Sequence, residues 1–84
     1  MKYFVYLIVS KNKQEYLSYV GYTNNLKKRL EKHNNSKGAK FTRGRKWILA
    51  YSNSYDSKSK AMSEEYKLKK NYKLRNKIKS NFYK

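Results

Sequence analysis

Near the start of the chain stands an unbroken apolar and aromatic run, Tyr3–Val9 (YFVYLIV). Because it never alternates with polar residues, it predicts a strand covered on both faces. Ser10–Glu15 (SKNKQE) reads as a polar loop, and Tyr16–Thr23 (YLSYVGYT) as a second strand. So short a connection implies an antiparallel hairpin. Thr23 or Asn24 then predicts the cap of a helix reaching about His33. Asn34–Lys46 (NNSKGAKFTRGRK) is a basic loop punctuated by Gly38 and Gly44. A third strand is predicted at Trp47–Ser52 (WILAYS). Asp56 or Ser57 would cap a second helix to about Lys70, and a third would run from Tyr72 to Asn81. No proline marks the break near Asn71. The order β-β-α-β-α-α predicts a small α/β (α+β) domain with helices packed on a sheet.

The chain has 84 residues, which suits one domain with a modest core. A chain this short buries roughly 60% of the surface its unfolded form exposes, so buried polar groups need a reason. Cysteine is absent, which excludes disulfides and thiolate zinc sites and fits a reducing, cytoplasmic setting. Tyr3–Val9 is far shorter than the roughly 20 residues needed to cross a bilayer. Nor does a small-residue cleavage site follow it, as a secretory leader would require.

Charge changes the picture most. Twenty-two Lys and Arg stand against five Asp and Glu, for a net charge of +17. An A- and T-rich genome would also enrich Lys, Asn and Tyr, but so few acids leave an anionic partner, nucleic acid first, as the better reading. A membrane-surface peptide fits less well, because the Tyr-rich runs read as strands rather than one amphipathic helix.

Several polar residues then fall where a small core should be apolar. In the first helix Leu26 and Leu30 define the inward stripe. At about 100° per residue, Arg29 and His33 fall about 60° and 20° to one side of Leu26. Four residues apart, they meet at the margin of the core, where both could face a phosphate; an Arg whose stem snorkels and a structural His are the plain alternatives. In the second helix Ala61, Leu68 and Tyr72 project within about 40° of one another, and Glu65 lies at the same angular scale. A carboxylate there must be paired, neutralised or bound to metal. Glu64 points about 100° away and reads as a solvated neighbour. Tyr6 and Tyr19 face each other across the hairpin, though among ten tyrosines either could simply pack. Gly21 suggests a bulge or the close approach of another backbone or a ligand. In the basic loop Lys37, Lys40, Arg43, Arg45 and Lys46 surround Phe41, joining charge for phosphates to a ring for stacking. A solvated loop is the bland alternative.

Together Phe4-Val5-Tyr6, Tyr19-Val20-Gly21, Arg29 and Glu65 resemble the GIY-YIG nuclease domain, in its short, single-domain bacterial branch. The likeness extends to His33, to GAKFTRGR at Gly38–Arg45, and to Ala61 through Glu65. Phe4 replaces the family Gly, Val5 and Val20 replace Ile, and the hairpin loop looks one or two residues longer. The resemblance implies a three-stranded antiparallel sheet flanked by helices, and one divalent metal, Mg²⁺ or Mn²⁺, held by Glu65. It further implies that Tyr6 and Tyr19 activate or orient the attacking water. Arg29 would bind the scissile phosphate, and His33 would assist proton transfer or grip the phosphate. An unperturbed phenol titrates near 10, so a tyrosine base needs help from the metal or nearby cations.

The implied activity is metal-dependent hydrolysis of phosphodiester bonds in DNA with low sequence specificity, in DNA repair or processing. A non-catalytic nucleic-acid-binding module on the same fold is the alternative, supported by charge alone. A subunit presenting the fold to a larger complex is a third reading. A protein partner is compatible with the chain, but no large exposed apolar stripe points to one.

Overall fold

The central strand is buried from both sides, as its unbroken apolar run predicts. In a computed structural model, which describes residues 1–12 and 15–83, the elements follow the expected order. They are β1 (Tyr3–Asn12), β2 (Glu15–Thr23), α1 (Leu26–Asn34), a short 3-10 turn (Lys40–Thr42), β3 (Ile48–Tyr55), α2 (Lys58–Lys70) and α3 (Tyr72–Phe82). The sheet is antiparallel with spatial order β2-β1-β3. Alternation along β1 divides the core in two. Val5, Leu7 and Val9 cluster with Val20, Ala61 and Leu68, and Ile78 and Tyr83 of the α3 end pack against them. Tyr6 and Ile8 cluster with Trp47, against Leu17, Tyr19, Leu26, Leu30 and Leu49. Each fully buried aliphatic side chain contributes roughly 1.5–3 kcal/mol, so this one strand supplies much of the stability available to a small domain.

Several boundaries differ from expectation for identifiable reasons. The polar run at Ser10–Glu15 is mostly strand: the ladder continues through Ser10↔Leu17, Lys11↔Tyr16 and Asn12↔Glu15. Backbone pairing tolerates polar side chains at a sheet end, and Ser10 is itself buried. Lys13 and Gln14, the middle of that expected loop, lie outside the described residues. The cap of α1 is Asn25, whose Oδ1 accepts the Lys28 N–H at 3.1 Å. Thr23 serves the turn before it, its Oγ1 accepting the Asn25 N–H at 3.1 Å. Ser57, as expected, caps α2 by accepting the Lys60 N–H.

Trp47 stands before β3 rather than in it. Its N–H donates to Asn34 Oδ1 at 2.6 Å and its carbonyl accepts from Asn34 Nδ2 at 3.1 Å. Both backbone groups are thus taken by α1's last residue instead of a strand neighbour. The strand runs on to Tyr55, paired with Tyr3, because an edge strand can carry polar Ser52–Ser54 toward solvent. Leu7 pairs with Tyr51 and Ile8 with Leu49, which leaves Ala50 as the extra residue of a bulge.

Asn71 supplies the helix break without proline. Its N–H donates to the Leu68 carbonyl at 3.1 Å, ending α2. Its Oδ1 accepts the Leu74 N–H at 3.1 Å, starting α3. The break also corrects the expected α2 stripe. Ala61 and Leu68 are buried, but Tyr72 belongs to the next helix and is 65% exposed. Replacing Asn71 by Ala removes the cap of α3 and should lower stability by about 1 kcal/mol. The check is a reduced urea midpoint with an unchanged slope; an unaltered midpoint would show the cap to be dispensable.

Candidate active site

Tyr6 sits at the middle of β1 with its side chain on the α1 face, and the register sets it opposite Gly21 of β2. The two positions fit only because Gly21 has no side chain. A Cβ there would stand 2.4 Å from Tyr6 Oη and 2.7 Å from its Cζ. The space at Gly21 is thus taken by this chain's own tyrosine side chain, not by another backbone or a ligand, and the β1–β2 register passes it without a bulge.

The Tyr6 hydroxyl meets two residues of α1. Arg29 Nε–H donates to Oη at 3.2 Å, and His33 Nε2 lies 2.8 Å from it. One turn apart, these side chains converge as their spacing predicts. His33, however, is not at the margin: it is fully buried, deeper than Leu26 or Leu30. Its Nδ1 lies 2.9 Å from Thr42 Oγ1, whose hydroxyl donates to the Ala39 carbonyl at 2.8 Å. The Trp47 indole N–H donates to the Thr42 carbonyl at 2.9 Å, fixing the 3-10 turn. Gly38 closes the remaining side, since a Cβ there would come within 2.5 Å of His33 Nδ1. These loop residues were not foreseen as site residues. Thr42 and Gly38 carry no periodic signal, and only the family likeness of the GAKFTRGR stretch pointed to their segment.

Tyr19 lies two positions before Gly21 on the same face and is half-buried. Its ring meets His33 edge-on at 5.2 Å and stacks on Phe41 at 6.2 Å. Phe41 is 53% exposed and also packs on Trp47. Lys37, Lys40, Arg43 and Lys46 are exposed around it, while Arg45 is half-buried with its Nη1 enclosed and unbonded among the described residues. A cavity of about 100 Å³ borders Tyr6 and Arg29, with Ile8, Leu30 and Leu49 as apolar wall. Its volume exceeds that of one water, and its walls are almost wholly apolar.

Glu65 arrives from the layer opposite α1. Its side chain is 18% exposed, and Oε1 meets Lys69 Nζ at 3.5 Å. Glu64 is not the solvated neighbour expected; it is partly buried and paired with Lys60 at 3.3 Å and Lys67 at 3.4 Å. Its carboxyl is held below the ordinary range, first by the hydrogen bond from Lys60.

Burial pushes the Tyr6 phenol above its ordinary value; Arg29 opposes this, while Tyr19 and the negative charge of Glu65 add to it. Hydrogen bonding to Tyr6 raises the Arg29 guanidinium further. Burial, then the Arg29 charge, lowers His33 from 6.5 to about 4, so the imidazole is neutral at pH 7.

A family model described as the GIY-YIG catalytic domain matches residues 2–79. The chain belongs to the GIY-YIG family. Members form a nuclease superfamily that generally uses divalent metals. A UPF0213 protein of Clostridium perfringens (strain 13 / Type A) is 48% identical over 66 residues, covering 77% of this chain and 70% of the relative. One from Staphylococcus haemolyticus (strain JCSC1435) is 41% identical over 69 residues, covering 81% and 80%. A third, from Bacillus velezensis, is 50% identical over 52 residues, which are 61% of this chain and about half, 52%, of that relative. The solution NMR structure of a UPF0213 protein from Bacillus halodurans is 38% identical, with a TM-score of 0.43 over 82% of this chain and 71% of that one. Among the described residues no helix is long and apolar enough to cross a membrane.

The donor set of this GIY-YIG chain fits a hard divalent cation. No group of three or more His, Cys, Asp or Glu gathers among the described residues. A lone carboxylate that leaves the other positions to water is a donor set compatible with a hard divalent cation.

The buried imidazole makes stability depend on pH. The unfolded chain takes up a proton near 6.5 and the folded chain only near about 4. Between these values the unfolded state binds more protons, so stability rises with pH through the window and is lost as pH falls. The loss should reach on the order of 3 kcal/mol by the lower end. Urea midpoints measured across the window should drop in the wild type and drop less in His33→Gln; parallel profiles would refute the assignment.

Proposed function

We propose that the chain is a metal-dependent nuclease that hydrolyses phosphodiester bonds in DNA with low sequence specificity, as DNA repair or processing requires. One observation carries the reading: a neutral buried imidazole, a phenol and a guanidinium are joined through a single oxygen, Tyr6 Oη, beside a cavity. Arg29 Nε–H is engaged by Tyr6, which leaves its Nη groups to meet a phosphate and offset the charge that develops on it. Tyr6 orients the attacking water, and Tyr19 packs its ring against His33 from β2. In hydrolysis the water oxygen bonds to phosphorus as the bond to the leaving sugar oxygen breaks. One water proton passes to Tyr6 Oη while Tyr6's own hydrogen moves to His33 Nε2, and the leaving oxygen takes a proton from solvent. His33 returns its extra proton to solvent afterwards.

The buried phenol is a poor acid by itself, so hydrogen transfer to His33 in the same step avoids a free phenolate. Glu65 would hold the divalent ion, which when bound supplies positive charge at the phosphate. The exposed Lys37, Lys40, Arg43 and Lys46, with Arg45 behind them, would track the backbone, and Phe41 offers a base a stacking face. Backbone contacts and stacking carry little sequence information, which underlies the low specificity.

Labelled single-stranded, duplex and branched DNA should be cut in Mg²⁺ or Mn²⁺ and left intact in chelator. Glu65→Ala should cut about 100-fold more slowly or worse, while binding DNA in metal-free buffer within a few-fold of wild type. An Ala variant as fast as wild type would sink the assignment. Steeply salt-dependent binding with no cleavage in any metal would favour the non-catalytic binding module instead.

A further inference from the structure

The hydrogen bonds around His33 have a fixed direction, and Thr42 sets it. A hydroxyl carries one hydrogen. Thr42 is fully buried, and its hydroxyl hydrogen is given to the Ala39 carbonyl, which can only accept. Thr42 Oγ1 therefore faces His33 Nδ1, 2.9 Å away, with lone pairs alone. That contact is a hydrogen bond only if Nδ1 carries the imidazole hydrogen. Nε2 is then bare, and across 2.8 Å it accepts from the Tyr6 O–H. With its hydrogen turned inward to His33 and the Arg29 Nε–H received at 3.2 Å, Tyr6 Oη keeps only acceptor capacity for anything reaching it from the cavity.

We propose that Thr42 is a positioning residue: by holding His33 in the Nδ1–H form, it makes Tyr6 present a lone pair rather than a hydrogen to the substrate water. This inference rests on the nuclease reading given above. In the opposite tautomer Nε2–H would donate to Tyr6, and Oη would receive both His33 and Arg29. Its own hydrogen would then project into the cavity and meet water as a donor, which orients the nucleophile backwards. Thr42 needs to make or break no bond for this; it decides where a hydrogen sits. The loop is built to keep the ring from turning to another partner. Gly38 lies so close that a Cβ would overlap Nδ1 and Cε1, and Trp47 Nε1–H anchors the Thr42 carbonyl at 2.9 Å. Fixing a tautomer through the far nitrogen of a histidine is a general way to set its reactivity, and a wrong tautomer can cost up to about 10⁴-fold in turnover where the imidazole acts directly.

His33 is the chain's one histidine, so its ring nitrogens can be read without overlap by long-range ¹H–¹⁵N correlation NMR. At pH 7 the wild type should show a protonated Nδ1 and a bare Nε2. Thr42→Val should move the ring wholly or partly to Nε2–H and lower kcat on DNA by about 100-fold, with KM changed only a few-fold. Thr42→Ser, which keeps the hydroxyl, should restore both the spectrum and the rate. A wild-type ring in the Nε2–H form overturns the inference before any variant is needed. So does a Val variant that keeps the Nδ1–H form, or one that changes form and retains full kcat. Wild-type protein that cuts no DNA in any metal yet shows Nδ1–H would remove the nuclease reading and leave the direction of the chain standing.

Discussion

A buried hydrogen bond between Tyr6 Oη and His33 Nε2 joins the middle of the central strand to the last turn of α1. Polar groups taken from water are costly unless each is satisfied, and here satisfaction spreads outward from one contact. His33 needs a partner on its second nitrogen, which brings Thr42 inward. Thr42 needs an acceptor, which brings the Ala39 carbonyl and the 3-10 turn. The tyrosine ring needs room over the neighbouring strand, which requires a glycine there. The loop carrying the 3-10 turn is thereby tied to sheet and helix by hydrogen bonds as well as by the packing of Phe41 and Trp47.

The two faces of the sheet answer different demands. The face under α2 and α3 has an aliphatic centre rimmed by tyrosines and holds the domain together. The face under α1 mixes phenols, an imidazole and a guanidinium with a smaller apolar cluster. A small domain can spend few positions in that way, and β1 makes it feasible by serving both cores at once. The large positive charge adds self-repulsion to a chain with modest burial, and three of the five acids pair with lysines. Glu64 gathers Lys60 and Lys67, Asp56 meets Lys2, and Glu65 meets Lys69. Most of the positive charge is left without an internal counterpart, as a polyanion-binding surface requires.

Much of the fold was legible because its strands and helices obey simple periods. Tyr3–Val9 announced a doubly covered strand, and the helical spacing of Arg29 and His33 brought the two together, although at the margin of the core rather than inside it beside Tyr6. Glu65 was legible as a carboxylate near a core face, although the phase of that face failed at Tyr72, where the Asn71 caps restart the helix count. Trp47 was assigned to a strand on its side chain, whereas its backbone is claimed by the Asn34 amide, a contact between residues thirteen apart. The stretch holding Thr42 and Gly38 was legible only through its family likeness, and their individual roles were hidden for a related cause. Both residues act through distance to a ring nitrogen, and a loop has no period that would reveal which hydroxyl faces which ring.

The missing side chain at Gly21 also limits how this chain can drift. With tyrosine at position 6, even a methyl group at position 21 lands on the phenol oxygen. The two sites are therefore not independent letters. Position 21 can enlarge only after position 6 has become smaller, and that first change dissolves the link to the imidazole. Sequence change at this crossing has an order imposed on it, and the step that would relax the glycine is the one that dismantles the hydroxyl's place between strand and helix.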